Sequence, residues 1–148
     1  MASVDVEVEA TIARPRATVA AYCCDPDNAT SWYANIDAVR RETPQPMAVG
    51  SRFTFSARFL GRPLNYTYEV IEWTQDERFV MRTAQGPFPM ETTYEWQDAP
   101  DGATLMRLRN RGEPAGFSRI ATPLMSPAIK RATAKDLRRL KSILEAQG

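Results

Sequence analysis

The sequence predicts an α+β fold in which a curved antiparallel sheet of about seven strands packs around one long C-terminal helix. Two observations support this prediction. Across most of residues 4–110, apolar and polar side chains alternate with a period of two, which is typical of strands that bury one face. From Ser126 to Ala146 apolar residues recur at helical spacing instead, so this segment needs an apolar surface to lie on. Antiparallel strands kept apart from helices define the α+β class.

Length and composition indicate one domain without an overall charge bias. The chain has 148 residues, so we expect a single domain over residues 1–148. The net charge is +1, and we therefore expect neither DNA binding nor membrane insertion. The N-terminus does not resemble a secretory signal. Cys23 and Cys24 are adjacent, too close for an ordinary disulfide, which favours reduced thiols and a cytoplasmic protein.

Several classes of catalytic and metal site are excluded by residue type. The chain contains no histidine, which rules out Ser-His-Asp and Cys-His nucleophiles and metal sites that need imidazole. The segment that starts at Asp25 resembles a calcium-binding loop only at its beginning. Thr30 stands where such a loop needs glycine, and Ile36 stands where it needs a glutamate ligand. We therefore expect no metal and no cofactor.

The first 50 residues predict two strands separated by two short helices. The elements are a strand over residues 4–12, a helix from Pro15 to about Cys24, a second helix that carries Trp32 and Tyr33, and a strand from Ile36 to Thr43. Pro15 suits the first turn of a helix, and Asp25 precedes Pro26, which disfavours helical backbone at Asp25. Asp27 or Asn28 can cap the second helix.

The middle of the chain predicts an antiparallel meander. Its strands cover approximately residues 53–59, 64–70, 79–84, 92–96 and 104–110. Gly61 and Arg62 are predicted to form a hairpin turn with glycine at the first central position. Ile71 and Trp73 fall out of phase with the preceding residues, which indicates a bulge. Residues 100–102 read Pro-Asp-Gly, a turn signal.

The C-terminal helix is predicted to be the second half of the core. Ser126 can cap it, and Pro127 suits the first helical position, where its missing N–H is not needed. At 1.5 Å per residue the helix is about 30 Å long. Its apolar stripe is formed by Ile129, Ala132, Ala134, Leu137, Leu140, Ile143 and Leu144, and lysine and arginine occupy most of the rest.

Short motifs in a particular order resemble one known superfamily. They are Ile12-Ala13-Arg14-Pro15, Asp25-Pro26 with Trp32, Gly50-Ser51-Arg52-Phe53, Val70-Ile71-Glu72 with Arg78-Phe79, Gly102-Ala103-Thr104, and Asp136-Leu137 with Leu140-Lys141 and Leu144-Glu145. From end to end the chain resembles the polyketide cyclase/START-like superfamily, also called SRPBCC, which has the helix-grip fold. The resemblance implies a cavity between the concave sheet face and the last helix. Its members include polyketide cyclases, lipid and sterol carriers, and quinone-binding proteins.

Ten residues are predicted to line this cavity as ligand-binding residues. They follow from the apolar phase of the strands and of the helix, and they are Trp32, Phe53, Phe55, Tyr66, Tyr68, Tyr94, Trp96, Met106, Asn110 and Leu137. The alternative is that these side chains fill a solid core. Buried tyrosine hydroxyls and asparagine amides need hydrogen-bond partners, so their convergence on one face also suits a mostly apolar pocket with a few orienting groups.

Catalytic residues cannot be assigned from the sequence. Cyclisation of a polyketide needs enolisation and a positioned acid or base. Glu72 is the best carboxylate candidate, but a surface glutamate is the favoured interpretation because charged residues are rarely buried. If the protein is an enzyme, the resemblance implies a polyketide cyclase or dehydratase.

Charged residues predict an outer surface and one alternative function. Arg107, Arg109 and Arg111 share one strand face, and Glu91 and Glu95 share another, so we expect them to oppose each other on the outside of the sheet. Two functions remain open. One is a carrier or cyclase-like enzyme for a hydrophobic or aromatic molecule, such as a polyketide, lipid or quinone. The other is a non-catalytic interaction protein that binds a macromolecule through the basic C-terminal helix. Formation of a homodimer is left open.

Overall fold

The computed structural model describes residues 4–44, 46–59, 61–85, 89–112 and 122–148, without the side chains of Phe59 and of residues 122–126. Seven strands and three α-helices occur in these ranges. In chain order they are β1 (Val4–Ile12), α1 (Arg16–Cys24), α2 (Ala29–Trp32), β2 (Ile36–Arg41), β3 (Arg52–Phe59), β4 (Arg62–Thr74), β5 (Arg78–Gln85), β6 (Met90–Ala99), β7 (Ala103–Gly112) and α3 (Thr122–Gln147). Short 3-10 turns cover Pro26–Asn28 and Pro100–Gly102.

All seven strands belong to one curled antiparallel sheet, as the sequence predicted. Their spatial order is β1-β7-β6-β5-β4-β3-β2, so the strands from β2 to β7 form a meander and β1 closes the far edge against β7. The core lies between the concave face of this sheet and α3. Leu137, Leu140 and Leu144 of α3 are buried there, together with Met106 and Leu108 of β7. The predicted α+β helix-grip architecture is therefore confirmed.

The long helix begins earlier than the sequence predicted. It starts at Thr122, so Ser126 is not its cap and Pro127 is an interior residue rather than the first. Pro123 fits the first turn as well as Pro127 does, and the preference for proline there could not choose between them. The helix continues through Pro127 without the hydrogen bond that an N–H at this position would make to residue 123. In the described part of the chain, no helix is long and apolar enough to cross a membrane.

The buried face of α3 is also slightly rotated from the predicted stripe. Ala132 is exposed, whereas Thr133 and Asp136 are buried beside Leu137. Thr133 lies four residues before Leu137 and therefore on the same side of the helix. Composition favoured alanine over threonine for the buried position, but helical geometry places the threonine there.

The second short helix is capped differently from the prediction. Neither Asp27 nor Asn28 caps it with a side chain. Instead the Asp25 carboxylate accepts the N–H of Asp27 at 3.0 Å and caps the 3-10 turn that precedes α2. Because this turn occupies three residues, α2 keeps only four, and Tyr33 follows the helix instead of belonging to it. The next strand, β2, ends at Arg41, two residues before the predicted Thr43.

One predicted irregularity is confirmed, and one predicted turn is corrected. The pairing of β4 with β5 shifts register between Val70 and Glu72, where the sequence indicated a bulge. In the preceding hairpin, Phe59 pairs with Arg62, so Arg62 belongs to β4 and Gly61 is the last residue of the turn. Gly61 has a φ of +77°, a conformation that glycine adopts without steric cost.

The predicted charge ladder forms on the outer face, with some different partners. Arg111 pairs with Glu91 at 2.7 Å, as expected. The other contacts are Arg107 with Glu9 at 3.1 Å, Arg109 with Asp5 at 2.7 Å, and Arg78 with both Glu95 at 2.6 Å and Glu72 at 2.7 Å. Because β7 lies between β6 and β1, its arginines have acidic neighbours on both sides, and the sequence could not show which side they choose.

Candidate functional site

The structure brings the ten predicted site residues together between the sheet and α3. Nine are buried, and Asn110 is partly buried near the end of β7. The buried nine are Trp32, Phe53, Phe55, Tyr66, Tyr68, Tyr94, Trp96, Met106 and Leu137, and all belong to one apolar cluster. Burial of this kind suits both a packed core and the wall of a ligand site. The polar atoms in the cluster therefore decide what the arrangement can do.

A pair of tyrosine hydroxyls forms the first polar group. The hydroxyl oxygens of Tyr33 and Tyr94 are 2.6 Å apart, and each ring contacts Trp32. Phe79 stacks on Tyr94 with ring centroids 5.9 Å apart. Burial raises the pKa of Tyr33 and of Tyr94 well above the usual value, so both hydroxyls stay protonated and can donate hydrogen bonds. Tyr94 was among the predicted site residues, and Tyr33, although it was predicted beside Trp32, was not.

A line of polar side chains crosses the site from β4 to α3. The Thr92 hydroxyl donates to the Asn110 carbonyl oxygen at 2.7 Å, and the Asn110 amide donates to the Thr133 hydroxyl at 3.3 Å. Burial raises the pKa of Tyr68 to about 12, and the neighbouring Thr92 hydroxyl partly opposes this shift. We call Tyr68, Thr92, Asn110 and Thr133 the polar line. Thr92 and Thr133 were not predicted, although Thr92 shares the strand phase of Tyr94.

Two further predicted residues contribute polar atoms to the same interior. The indole N–H of Trp96 is buried and has no hydrogen-bond partner among the described residues. An unpaired buried donor of this kind costs about 1–3 kcal/mol. The Tyr66 ring lies 6.3 Å from that of Tyr68, and burial raises the pKa of its hydroxyl. The Trp96 N–H lies near the Cys23 thiol and partly opposes the rise in that group's pKa that burial causes.

Asp136 is a buried carboxyl group that the sequence analysis did not assign to the site. It is only 7% exposed, and its Oδ1 atom accepts the N–H of Ala34 at 3.1 Å. Burial raises the pKa of Asp136 to about 6, although the Ala34 N–H, Arg139 and Lys135 oppose the shift. The Asp136 charge also contributes to the raised pKa of Tyr33, so the two groups are close. A carboxyl group with a pKa near neutrality is suited to act as a general acid or base.

Glu72, the carboxylate singled out from the sequence, lies on the outside. It is exposed and pairs with Arg78, as the favoured interpretation predicted. Among the described residues no group of three potential metal ligands is present, and both cysteines are free and buried. The interior chemistry therefore rests on hydroxyl groups, one amide, one indole N–H and the Asp136 carboxyl group.

An interior space beside Tyr94, between the sheet and the two short helices, is small in this structure. It measures about 10 Å³, room for about one water molecule. Four predicted site residues line it, namely Trp32, Phe53, Phe55 and Tyr94, together with residues of α1, α2 and β5. A ligand of drug-like size needs several hundred cubic ångströms. Binding at this position therefore requires side chains or a helix to move apart.

The curled sheet packs around α3 and is lined with both aromatic and polar side chains. These features define the class of the protein, which is START-like with the helix-grip fold. Solved structures share this fold over nearly their whole length. TTHA0849 from Thermus thermophilus is 17% identical with a TM-score of 0.82, covering 97% of this chain and 99% of that one. The Zhui aromatase/cyclase from Streptomyces sp. R1128 is 14% identical with a TM-score of 0.79, covering 97% and 94%. A START superfamily protein from Mycobacterium smegmatis is 15% identical with a TM-score of 0.75, covering 97% and 95%.

Sequence comparison then identifies the family. The model of the family described as polyketide cyclase / dehydrase and lipid transport matches residues 3–145, and the chain belongs to this family. None of the curated protein sequences matches the chain. At the identities given above, the solved structures establish the fold alone. The family description supports a function in binding hydrophobic ligands or in polyketide cyclase-like chemistry.

Proposed function

We propose that the protein binds a small, flat, hydrophobic or aromatic molecule with one or two oxygen atoms between the concave sheet face and α3. The polar line is the observation that carries this proposal. Four polar side chains from three strands and one helix meet inside an apolar cluster, where burying polar groups gains nothing for packing alone. An apolar pocket with a few orienting donors and acceptors is the usual form of a small-molecule site.

The class of ligand follows from the lining and from the family. Aromatic rings of Trp32, Phe53, Phe55 and Tyr94 offer stacking surfaces, which suit a polyketide, quinone or flavonoid. The family description names polyketides and lipid transport, which supports the same range of compounds. If the ligand is also a substrate, Asp136 and the Tyr33–Tyr94 pair are the groups that would move protons in a cyclisation or dehydration.

A ligand screen with matched variants tests the proposal. Tryptophan fluorescence and thermal shift should detect micromolar binding, about −8 kcal/mol, of at least one polyketide, flavonoid, quinone or fatty acid. Tyr68→Phe and Asn110→Ala should weaken this binding, because each removes a member of the polar line. Tyr22→Phe is the control, since it removes a hydroxyl from α1 outside that line. If no compound in these classes binds, or if the control weakens binding as much, the proposal is wrong.

A basic surface favours one second candidate, a protein that binds an acidic macromolecule. Five exposed cations on α3 make no ion pair with any residue that the structure describes. They are Lys130, Arg131, Lys135, Arg138 and Arg139. This second function is supported if no compound of the screen binds and the protein binds polyglutamate with an affinity that falls as salt is added.

The cellular location and the oligomeric state are proposed together with the function. We place the protein in the cytoplasm, because Cys23 and Cys24 are free and buried, which suits a reducing compartment. We also keep the homodimer as a hypothesis, and analytical ultracentrifugation at several concentrations decides between monomer and dimer.

A further inference from the structure

A groove on the surface lies next to the interior site but outside it. It has a volume of about 300 Å³ and runs between the end of α1, the following 3-10 turn and the loop that joins β4 to β5. Its lining includes Cys24, Pro26, Arg41, Met47, Trp73 and Asp76. The volume is at the lower end of the range for small-molecule sites. None of the functional groups described above depends on this groove.

The groove and the interior space share two residues. Cys24 and Pro26 line both of them, and both residues are buried. These two side chains therefore form a wall between the groove and a space lined by Trp32, Phe53, Phe55 and Tyr94. The segment that carries them, residues 24–28, is the corner between α1 and α2. Outward movement of this corner would join the two spaces.

The guanidinium group of Arg41 joins the corner to the sheet through two ion pairs. Nη2 of Arg41, at the end of β2, lies 3.1 Å from Asp25 Oδ1 and 3.2 Å from Asp27 Oδ2. The side chains of Asp25 and Asp27 are 45% and 60% exposed, so water and salt weaken both ion pairs. These two ion pairs therefore hold the corner in one position, but they are weak enough to break and re-form.

The groove offers an aromatic surface to an arriving ligand. Trp73 is half-buried, and its ring is held edge-on against Phe79 with the centroids 5.6 Å apart and an interplanar angle of 87°. Met47, also half-buried, lines the same groove, and its thioether adapts to flat rings. A fixed indole beside a flexible methionine suits a flat aromatic molecule.

We propose that this groove is an outer subsite for the flat aromatic ligand, and that the ligand passes from it into the interior when Arg41 releases the corner at residues 24–28. The inference rests on the proposed function, because it concerns the same ligand. It explains how the interior, with a space of about 10 Å³, can take up a molecule far larger than that space. It also assigns roles to Arg41 and Trp73, which do not belong to the interior site.

The movement of the corner can be tested without any ligand. In a Cys23→Ala background, Cys24 is the remaining thiol, and its reaction with 5,5′-dithiobis(2-nitrobenzoic acid) reports opening of the wall. Arg41→Gln should speed this reaction about tenfold, the size of change expected when an exposed double ion pair is lost. Arg58→Gln is the matched control, because it breaks an exposed ion pair with Asp37 at the opposite end of β2, away from the corner. Equal rates for Arg41→Gln and Arg58→Gln would overturn the proposal.

Passage of ligand is then measured by stopped-flow tryptophan quenching with quercetin as the probe. Arg41→Gln should raise the association and dissociation rate constants together by about tenfold and leave Kd nearly unchanged. Trp73→Ala and a bulky methanethiosulfonate adduct on Cys24 should each slow association. Unchanged association in all three proteins would mean that the ligand enters elsewhere, which overturns this inference and leaves the proposed function intact. If the wild-type protein binds neither quercetin nor any compound of the screen, the proposed function and this inference are both wrong.

Discussion

Replacing Asp136 with asparagine should relieve a pH-dependent cost of burying a carboxylate. Burial raises the pKa of this group from 3.8 to about 6, so the folded protein binds the proton more tightly than the unfolded chain does. The cost is therefore fully present above about pH 6 and disappears as the pH falls through 6 towards 3.8. Asparagine has a similar shape, and its oxygen can still accept the Ala34 N–H.

The magnitude follows from the size of the pKa shift. A shift of about two units corresponds to roughly 3 kcal/mol at 1.4 kcal/mol per unit. The charges of the exposed Lys135 and Arg139 act on this carboxyl group partly through solvent, which screens them, so we reduce this to about 1–3 kcal/mol. The new amide N–H groups add a cost of about 1–3 kcal/mol if they find no partner, but that cost does not depend on pH.

Urea unfolding of both proteins between pH 4 and pH 7.5 provides the measurement. The free energy of unfolding of Asp136→Asn relative to wild type should rise by about 1–3 kcal/mol across this range. Asp5→Asn is a control in which the change in stability should depend on pH in the opposite direction, because a hydrogen bond from Arg109 lowers the pKa of Asp5. Removing that carboxylate should cost stability at neutral pH, and the cost should shrink in acid.

Parallel stability curves for wild type and Asp136→Asn would refute the assignment of a raised pKa to this carboxyl group. If the slope appears, Asp136 is kept at a cost to stability, which is typical of groups with a function. Ligand binding or turnover should then change its pH dependence in Asp136→Asn. A stabilised variant with unchanged ligand chemistry would show that Asp136 only joins α3 to the segment after α2.

Three further predictions concern the core, the polar line and metals. Leu140 is fully buried, and Leu140→Ala should lower the free energy of unfolding, measured with urea, by about 2–5 kcal/mol. A loss below about 0.5 kcal/mol would mean that another face of α3 packs on the sheet. Thr92→Val removes the hydroxyl that donates to Asn110, and it should lower the free energy of unfolding by about 1 kcal/mol in the same measurement. Equal stability of the variant and the wild type would show that the polar line is not formed. Chelators should leave Tm unchanged, since the chain has no histidine, and a fall in Tm that one metal restores would contradict this.

The strand part of the candidate site could be predicted because side chains alternate along a strand. Once the apolar phase is known, the inward residues follow, and Phe53, Phe55, Tyr68, Tyr94 and Trp96 are all buried on the expected face. The same rule includes Thr92, which shares the phase of Tyr94 and Trp96 but was not among the predicted site residues. The bulge after Val70 was predicted for the same reason, since a change of phase must displace the pairing.

The helical and loop part of the site could not be predicted in this way. Tyr33, Thr133 and Asp136 come from α3 and from the residue after α2, and their positions depend on how these helices pack together. A polar residue beside an apolar helix stripe can turn to water or to a partner, and the hydrogen bond from the Ala34 N–H favours the buried position of Asp136. Rotation of α3 by a fraction of a turn exposes Ala132 and buries Thr133.

By itself the sequence determined the fold class, the seven strands, the buried line of Leu137, Leu140 and Leu144, and the family. The fold class, the strands and the buried leucines depend on periodicity, which is local and repeated along the chain, whereas the family was indicated by the resemblance of short motifs in a particular order. Tertiary structure decided where α3 begins, which acidic residue each arginine of β7 pairs with, and that Cys24 and Pro26 separate the groove from the interior. Such features depend on distances between segments far apart in the chain, and those distances exist only after the sheet has curled around the helix.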